Sequence, residues 1–304
     1  VNEAPVITTT AFGSIAENQT AIGSLAVTDD TGDSVAFTIT GGDDQGKFTV
    51  SGSTLAFNFS PNFESPADTG TNNVYEVQIT ATDGDGLTDI ETVSVTVVDA
   101  NDAPVITTTA FGSIAENQTA VGSLAATDAD ASNSITFAIT GGVDSDKFAA
   151  GGIGGSVLVF SGFTPDFESP AGGVDNDSNT YLVEITATDN GAGGLTDVET
   201  VSVTVVNVNE APVITTTAFG SIAENQTAIG SLAVTDDTGD SVAFTITGGD
   251  DQGKFTVSGS TLAFNFSPNF ESPADTGTNN VYEVQITATD GDGLTDIETV
   301  SVTV

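Results

Sequence analysis

Residues 1–97 recur without a single change as residues 208–304, an offset of 207 positions. A divergent copy lies between them, because the segment that begins at Asn2 returns at Asn101 and at Asn209, each time followed by an acidic residue, alanine and proline. The spacings are 99 and 108 residues, and one small β-sandwich needs about 100 residues. The sequence therefore predicts three domains in series, at residues 1–98, 99–206 and 207–304.

The middle copy is nine residues longer than the first, the difference between 108 and 99. The extra residues fall in stretches rich in glycine, asparagine or aspartate, near positions 131–133, 151–155, 172–178 and 191–194. Insertions in such stretches are loop insertions, which leave the packed core unchanged. The middle copy is therefore predicted to share the fold of its neighbours, with longer loops.

Apolar and polar residues alternate in residues 75–81 and 93–97, which is the pattern of strands with one buried face. Similar short runs occupy residues 6–10, 22–28, 35–40 and 55–59. Clusters of Gly, Asn, Asp and Pro separate these runs at roughly regular spacing, which favours an antiparallel sandwich over a helical repeat. We predict an all-β fold with no helix.

The chain carries 43 acidic side chains and 3 basic ones, all lysine, for a formal charge of −40 at pH 7. Nucleic-acid binding requires lysine and arginine to neutralise phosphates, and an anionic membrane would repel this surface. The sequence also has no apolar run long enough to span a bilayer. We therefore predict no nucleic-acid partner and no direct membrane insertion.

The hydrophobic fraction of 38%, with 18 phenylalanines, supplies enough apolar surface for folding. The excess carboxylates must then lie on folded domains, where their repulsion is offset by salt or by bound cations. Carboxylate, asparagine and backbone oxygens are the ligands that calcium prefers, whereas the absence of Cys and His argues against zinc. Calcium is therefore the predicted cofactor, and no disulfide forms.

The sequence has no initiator methionine and no signal-peptide pattern. We interpret it as an internal piece of a longer secreted protein, with export and anchoring signals outside it.

Five acidic motifs recur in fixed order. They are represented by Ala16-Glu17-Asn18, Asp128-Ala129-Asp130, Asp166-Phe167-Glu168, Asp189, and the linker from Asp99 to Pro104. In these motifs the chain resembles a bacterial cadherin-like tandem repeat, the calcium-binding extender region of a large RTX or surface adhesin-type protein. The resemblance implies three tandem cadherin-like domains, which are immunoglobulin-like, Greek-key β-sandwiches arranged in a linear rod. It also implies calcium ions at the junctions between consecutive domains.

Carried over position by position, the resemblance implies two sets of ligands. For the first junction the set is Glu17, Glu64, Asp99, Asn101, Asp102, Asp128, Asp130 and Asp189. For the second junction it is Glu116, Asp166, Glu168, Asn207, Asn209, Glu210, Asp236 and Asp290.

The chain departs from the family pattern at several positions. Asn62 stands where the first junction should have an aspartate. At the second junction Asn207 and Glu210 replace aspartates, and Thr238 stands where another is expected, with Asp237 and Asp240 close enough to substitute. We therefore expect fewer ions or weaker affinity at the second junction.

Other features have ordinary structural interpretations. In the cluster from Asp83 to Gly86 the first aspartate is a candidate ligand and the rest form a hairpin turn. Asp43 and Asp44 are interpreted as solvated turn residues. The phenylalanines, represented by Phe57, are assigned to the core, since sugar-stacking platforms favour Trp and Tyr.

No catalytic function is predicted. Without His or Cys the chain has neither a Ser-His-Asp nor a Cys-His system, and it has no phosphate-binding loop with its lysine. A glycosidase with two carboxylates remains formally possible, but such pairs need a deep cleft.

The leading hypothesis is an extracellular or cell-surface adhesin segment, stiffened by calcium, that spans distance for cell adhesion or biofilm formation. Its partners would be calcium and neighbouring repeats of the same protein. One alternative is a subunit of a self-assembling extracellular filament or surface layer, which would bind other copies of itself. Another is a cadherin-like module that binds proteins or cell-surface glycans.

Overall fold

The computed structural model describes residues 2–173, 176–237 and 239–304. The chain divides into two compact units. Unit 1 runs to Ala110 and also includes Gly122–Val159 and Val183–Val201, whereas unit 2 comprises Phe111–Val121, Phe160–Leu182 and Ser202–Val304. The first repeat thus belongs to unit 1, the third repeat to unit 2, and the middle repeat contributes residues to both.

The described part of the chain is built of short strands. The first repeat has β1 (Val6–Ile7), β2 (Ile15–Ala16), β3 (Ala21–Ser24), β4 (Val27–Thr28), β5 (Ala36–Gly41), β6 (Phe48–Ser51), β7 (Thr54–Phe57), β8 (Val74–Thr82) and β9 (Thr88–Val98). The middle repeat has β10 (Val105–Ile106), β11 (Ala110–Ala115), β12 (Ala120–Ser123), β13 (Ala126–Thr127), β14 (Thr136–Gly141), β15 (Phe148–Gly151), β16 (Val157–Phe160), β17 (Thr180–Thr188) and β18 (Thr196–Val206). The third repeat has β19 (Val213–Ile214), β20 (Ala218–Phe219), β21 (Ala228–Ser231), β22 (Val234–Thr235), β23 (Ala243–Gly248), β24 (Phe255–Ser258), β25 (Thr261–Phe264), β26 (Val281–Thr289) and β27 (Thr295–Thr303).

Helical structure is limited, among the described residues, to four 3-10 turns at Gln45–Lys47, Ser145–Lys147, Ile153–Gly155 and Gln252–Lys254. No helix in the described ranges is long and apolar enough to cross a membrane. The prediction of an all-β fold is confirmed.

The first repeat, in unit 1, forms a four-stranded sheet in the order β2-β9-β8-β5, a three-stranded sheet in the order β3-β7-β6, and the pair β1-β4. Strands β8 and β9 form a long antiparallel hairpin. Strand β2, in contrast, pairs with β9 in parallel, with Ile15 opposite Val97. In unit 2, the third repeat has the same strand order, and in unit 1 β14 of the middle repeat pairs antiparallel with β17.

The core of the first repeat lies between its two larger sheets. Alternation along β8 buries Tyr75, Val77 and Ile79, which pack against Leu55 and Phe57 of β7. The Phe57 ring meets the edge of Tyr75 at a centroid distance of 5.1 Å, and the Tyr75 hydroxyl accepts a hydrogen bond from a backbone N–H. The assignment of the phenylalanines to the core is confirmed at Phe57.

Two details differ from the predicted strands. The run at residues 22–28 is two strands, because the chain passes from the three-stranded sheet to the β1-β4 pair at Leu25, whose N–H donates to Ser53. Strands β2 and β6 were not predicted. Strand β2 has only two residues, which is too short to show an alternation of apolar and polar residues.

The interpretation of Asp44 as a solvated residue is wrong. Its side chain is 5% exposed, and its carboxylate accepts the Thr69 N–H at 2.7 Å and the Glu76 N–H at 2.9 Å. The Thr69 hydroxyl donates a third hydrogen bond at 2.9 Å. Asp44 therefore joins the start of β8 to the preceding loop. An aspartate suits this position because its carboxylate oxygens accept hydrogen bonds from backbone N–H groups that would otherwise be unpaired.

Candidate metal centres at the two linkers

The first linker, residues 99–104, begins where β9 ends. Because β2 runs parallel to β9, the residue after β2, Glu17, reaches the linker, and its N–H donates to Val98 O at 3.0 Å. The Glu17 side chain is 1% exposed. One carboxylate oxygen accepts the Phe63 N–H at 2.8 Å and the other accepts the Ala100 N–H at 3.0 Å. A single buried carboxylate thus joins a loop of the first repeat to the linker.

Glu64 and Asp99 lie beside Glu17, and oxygens of the three carboxylates are within 4.8 Å of one another. Partial desolvation, together with the charges of Glu17 and Asp99, raises the pKa of Glu64. Desolvation, a hydrogen bond shared with Asp130 and the charge of Glu17 raise the pKa of Asp99. Like charges this close repel one another, so the cluster favours either protonation or a bound cation.

The second half of the first linker contacts the middle repeat within unit 1. Asn101 Nδ2 donates to Asp189 Oδ2 at 2.8 Å, and the Asp102 N–H donates to Asp130 Oδ2 at 2.8 Å. The Asp130 N–H in turn donates to Asp128 Oδ1 at 3.0 Å. The linker is therefore held from both sides, by Glu17 before it and by Asp130 and Asp189 after it.

Asp128 supplies the observation that tests whether a cation fits. Its other oxygen, Oδ2, is buried and has no hydrogen-bond partner among the described residues. An unpaired buried carboxylate oxygen is costly, and a hard cation is the partner that relieves it. Asp99, Asn101 and Asp130 also line an open cleft of about 270 Å³, which has room for an ion. The donor set is all oxygen and carries excess negative charge, so it fits calcium.

Asn62, the departure from the pattern at this junction, uses its side-chain oxygen locally. It accepts the Ser65 N–H within its own turn. Asp166, at the equivalent position in the middle repeat, accepts the Ser169 N–H in the same way at 2.7 Å. This hydrogen bond within the turn uses one side-chain oxygen. Asp166 has a second carboxylate oxygen that the turn does not use, whereas Asn62 has only the one oxygen.

The second linker, residues 207–212, repeats the arrangement within unit 2. Glu116 is 1% exposed, and its carboxylate accepts the Phe167 N–H at 2.6 Å and the Val208 N–H at 2.8 Å. Oxygens of Glu116, Asp166 and Glu168 lie within 4.8 Å of one another. Desolvation and the charge of Glu116 raise the pKa of Glu168. Asn207, in place of an aspartate, donates through Nδ2 to Glu168 Oε1 at 3.1 Å.

Asn209 and Glu210 contact the third repeat. Asn209 Nδ2 donates to Asp290 Oδ2 at 2.9 Å, and this hydrogen bond helps to lower the pKa of Asp290. The Glu210 N–H donates to Asp237 Oδ2 at 2.9 Å, and oxygens of Glu210, Asp237 and Glu168 form a further cluster within 4.8 Å. This second junction therefore holds two carboxylate clusters.

Asp236 and Asp237 clarify the departure at Thr238, which itself lies outside the described residues. Asp237 receives the linker N–H that Asp130 receives at the first junction, so it takes over that position from the adjacent residue. Both carboxylate oxygens of Asp236 are buried without a hydrogen-bond partner in the described ranges. Asp237, which the sequence offers as a substitute for the aspartate expected at position 238, is thus a candidate ligand alongside Asp236.

The same constellation exists at the start of the first repeat. Asn2 Nδ2 donates to Asp83 Oδ2 at 2.8 Å, and the Glu3 N–H donates to Asp30 Oδ2 at 2.8 Å. Asp29 Oδ2 is buried and has no hydrogen-bond partner within the described ranges, like Oδ2 of Asp128. The linker contacts are therefore a repeated property of the sequence, present at three positions.

Among known proteins, several with cadherin domains are similar to this chain. Over 157 residues, 48% of this chain, the sequence is 31% identical to human protocadherin Fat 1, of which the match spans 3%. The structure is similar to repeats EC22-24 of mouse cadherin-23, with a TM-score of 0.57 at 20% identity, covering 100% of this chain and 99% of that one. It is also similar to the protocadherin GammaB4 extracellular domain, with a TM-score of 0.60 at 21% identity, covering 98% of this chain and 49% of that one.

At these identities the solved structures establish the fold, which is that of cadherin repeats in tandem. The sequence profile of the family described as "Bacterial Ig domain" matches residues 2–96 and 209–303, the first and third repeats. These two matches cover more than half of the chain. The chain therefore belongs to the bacterial Ig domain family, as a tandem array of cadherin-like repeats.

Proposed function

We propose that this chain is a calcium-stiffened extender segment of a secreted or cell-surface adhesin. The observation that carries the proposal is Asp128 Oδ2, which is buried and has no hydrogen-bond partner in the described part of the chain. It is supported by the carboxylates of Glu17, Glu64 and Asp99, whose oxygens lie within 4.8 Å of one another. With 3 basic residues against 43 acidic ones, the chain has too few positive side chains to neutralise its carboxylates.

At the first linker, Glu17, Glu64 and Asp99 would hold an ion from the side of the first repeat. Asn101, Asp102, Asp128, Asp130 and Asp189 would hold ions from the linker and the middle repeat. At the second linker the corresponding groups are Glu116, Asp166, Glu168, Asn207, Asn209, Glu210, Asp236 and Asp290, with Asp237 added. The ion supplies positive charge and several oxygen coordination sites at once.

A linker of a few residues does not fix the orientation of the repeats that it joins, whereas ions ligated from both sides do. Extracellular calcium modules have dissociation constants of about 0.1–1 mM, so extracellular calcium would keep such sites occupied. Two identical repeats also suit a spacer, because a spacer needs reproducible length rather than a unique binding surface. The extracellular cadherin domains among the structural relatives support a location outside the cell.

Solution scattering and thermal unfolding of the 304-residue chain, with calcium and with chelator, test the proposal. We expect chelation to change the maximum dimension and to lower the melting temperature, because a ligand that binds only the folded state stabilises it. Magnesium at the same concentration is the matched control for ionic strength. An unchanged maximum dimension would remove the stiffening claim, and an unchanged melting temperature would remove calcium binding.

A further inference from the structure

The loop that follows β17 in the middle repeat contains Asn190-Gly191, the one Asn-Gly pair in the sequence. At the corresponding position the first repeat has Gly84-Asp85. The correspondence rests on a shared hydrogen bond, because Gly191 N–H donates to Asp189 Oδ1 at 3.0 Å and Asp85 N–H donates to the equivalent aspartate at 3.0 Å. The pair is therefore a property of the middle repeat alone.

We propose that Asn190-Gly191 is a modification site at which Asn190 deamidates spontaneously and thereby weakens the first calcium junction. Local opening of the loop first releases the Gly191 N–H from its hydrogen bond to Asp189 Oδ1. The Gly191 nitrogen then loses its proton to a solvent base and forms a bond to Asn190 Cγ. The bond from Cγ to Nδ2 breaks, and the nitrogen leaves as ammonia after taking a proton from water. Water then opens the cyclic imide at either carbonyl, which leaves aspartate or isoaspartate.

Three features of the structure favour this reaction. Gly191 has no Cβ, so its nitrogen can approach the preceding side chain closely. Asn190 is exposed, which gives water and base access to it. The Ser134 N–H donates to Asn190 Oδ1 at 2.7 Å, and a fixed donor at this oxygen stabilises the negative charge that develops there during the attack on Cγ.

The modification would act on the linker through direct contact. A Cβ placed on Gly191 would be 1.5 Å from Asn101 Oδ1 and 2.9 Å from Asn133 Nδ2, so the backbone of Gly191 lies against the linker asparagine without spare room. Isoaspartate adds one backbone atom immediately before Gly191 and must displace it. Asn101, which donates to Asp189 Oδ2 at 2.8 Å, then loses its position.

Both products also replace a neutral amide by a carboxylate, but at position 190 this group is exposed, so we expect the added charge alone to leave the junction intact. The backbone displacement distinguishes isoaspartate from this charge effect, because Asn190→Asp adds the charge without the extra backbone atom. This consequence rests on the proposed function, in which Asn101 and Asp189 bind calcium. The reaction at Asn190 does not depend on it.

Mass spectrometry tests the reaction itself. The full chain is incubated in mildly alkaline buffer, digested with a glutamate-specific protease, and followed for the mass gain of amide hydrolysis. We expect Asn190 to deamidate at least an order of magnitude faster than Asn133 and Asn101 in the same sample. Equal rates at the three asparagines would overturn the proposal. Asn190→Gln should abolish the mass gain in its peptide, and Asn190→Ser serves the same purpose if the glutamine variant does not fold.

Thermal unfolding with calcium and with chelator tests the consequence. We expect aged wild-type protein to lose part of the calcium-dependent rise in melting temperature, whereas aged Asn190→Gln and fresh Asn190→Asp keep it. If the aged wild type keeps the full rise, the link to the junction is wrong. If the fresh protein shows no rise at all, the calcium function fails, and the mass measurement still decides whether Asn190 is a modification site.

Discussion

Replacing Glu17 by glutamine tests the first junction most directly. Glutamine has the same shape, but it offers one acceptor oxygen where glutamate offers two. Either the Phe63 N–H at 2.8 Å or the Ala100 N–H at 3.0 Å therefore loses its acceptor. The substitution also removes one of three negative charges whose oxygens lie within 4.8 Å.

Without calcium these two effects oppose each other. A hydrogen bond to a charged group contributes about 1.5–3 kcal/mol, and two like charges about 4 Å apart near a protein surface repel by roughly 4 kcal/mol. Loss of the hydrogen bond is therefore offset by relief of repulsion, and we expect a change in unfolding free energy within about 2 kcal/mol of zero. If calcium binds as proposed, the ion neutralises this repulsion, so the substitution then removes a ligand as well as a hydrogen bond.

The difference between the two conditions is the quantity to measure. Calcium at about one hundred times its dissociation constant stabilises the folded state by about 2.7 kcal/mol, and a tenfold loss of affinity removes about 1.4 kcal/mol of this. For a repeat of this size 1 kcal/mol corresponds to about 4–8 °C, so Glu17→Gln should lower the calcium-dependent rise in melting temperature by about 6–11 °C.

Calorimetry of the full chain with calcium and with chelator measures this difference, and Glu224→Gln is the matched control. Glu224 occupies the same position in the identical third repeat and accepts the Phe270 N–H at 3.0 Å, but it belongs to no carboxylate cluster of the described residues. We expect Glu224→Gln to leave the calcium response unchanged. The reasoning would be refuted if Glu17→Gln lowered the melting temperature equally in calcium and in chelator. It would also be refuted if Glu224→Gln reduced the calcium-dependent rise in melting temperature as much as Glu17→Gln does.

Three further outcomes are expected. Asp236→Asn should raise the melting temperature in chelator, because neither buried oxygen of Asp236 has a hydrogen-bond partner in the described ranges, and it should reduce the calcium response at the second junction. Calorimetry in both conditions measures this, and a loss of stability in chelator would contradict it. Asp44→Asn should destabilise the first repeat by about 1.5–3 kcal/mol equally with and without calcium, because the lost hydrogen bond is structural. Urea unfolding measures this loss of stability, and a calcium-dependent loss would count against the structural role of Asp44. In chelator, mild acidification should raise the melting temperature. Because the pKa of Asp99 is raised in the folded state, the folded state binds a proton more tightly than the unfolded state. The stabilisation from this proton is present below the ordinary carboxyl pKa and is lost as the pH rises through the raised pKa. Saturating calcium should remove or reverse this pH effect, and the same pH dependence in calcium and chelator would exclude the cluster as its source.

The repeat unit, the all-β class and the main strands could be predicted from the sequence because they depend on local information. Alternation along residues 75–81 sets which side chains are buried, and β8 extends by one residue at each end of that run. The insertions of the middle repeat were assigned to loops by composition alone. The boundaries between the three domains remain a prediction.

The candidate ligands were predicted by motif, but not the way in which they meet. Asp44 and Asp237 both belong to pairs of adjacent aspartates. The motif position of Asp237 makes it a substitute ligand, whereas the sequence around Asp44 indicates only a solvated turn. The structure buries Asp44 under the hydrogen bonds of a loop and of β8, and places Asp237 against the linker. These roles depend on residues between 25 and 32 positions away, beyond the reach of a sequence pattern.

The sequence by itself determined the chemistry of this protein: an excess of oxygen ligands, almost no basic residues, and modules that repeat at 99 and 108 residues. Only the tertiary structure decided which of the 43 acidic groups come together. The decisive contact is the parallel pairing of the two-residue strand β2 with β9, which carries Glu17 to the linker across 83 residues to Ala100. A strand this short has no periodicity of its own, so its partner and its direction are set by the packing of the whole repeat rather than by local propensity.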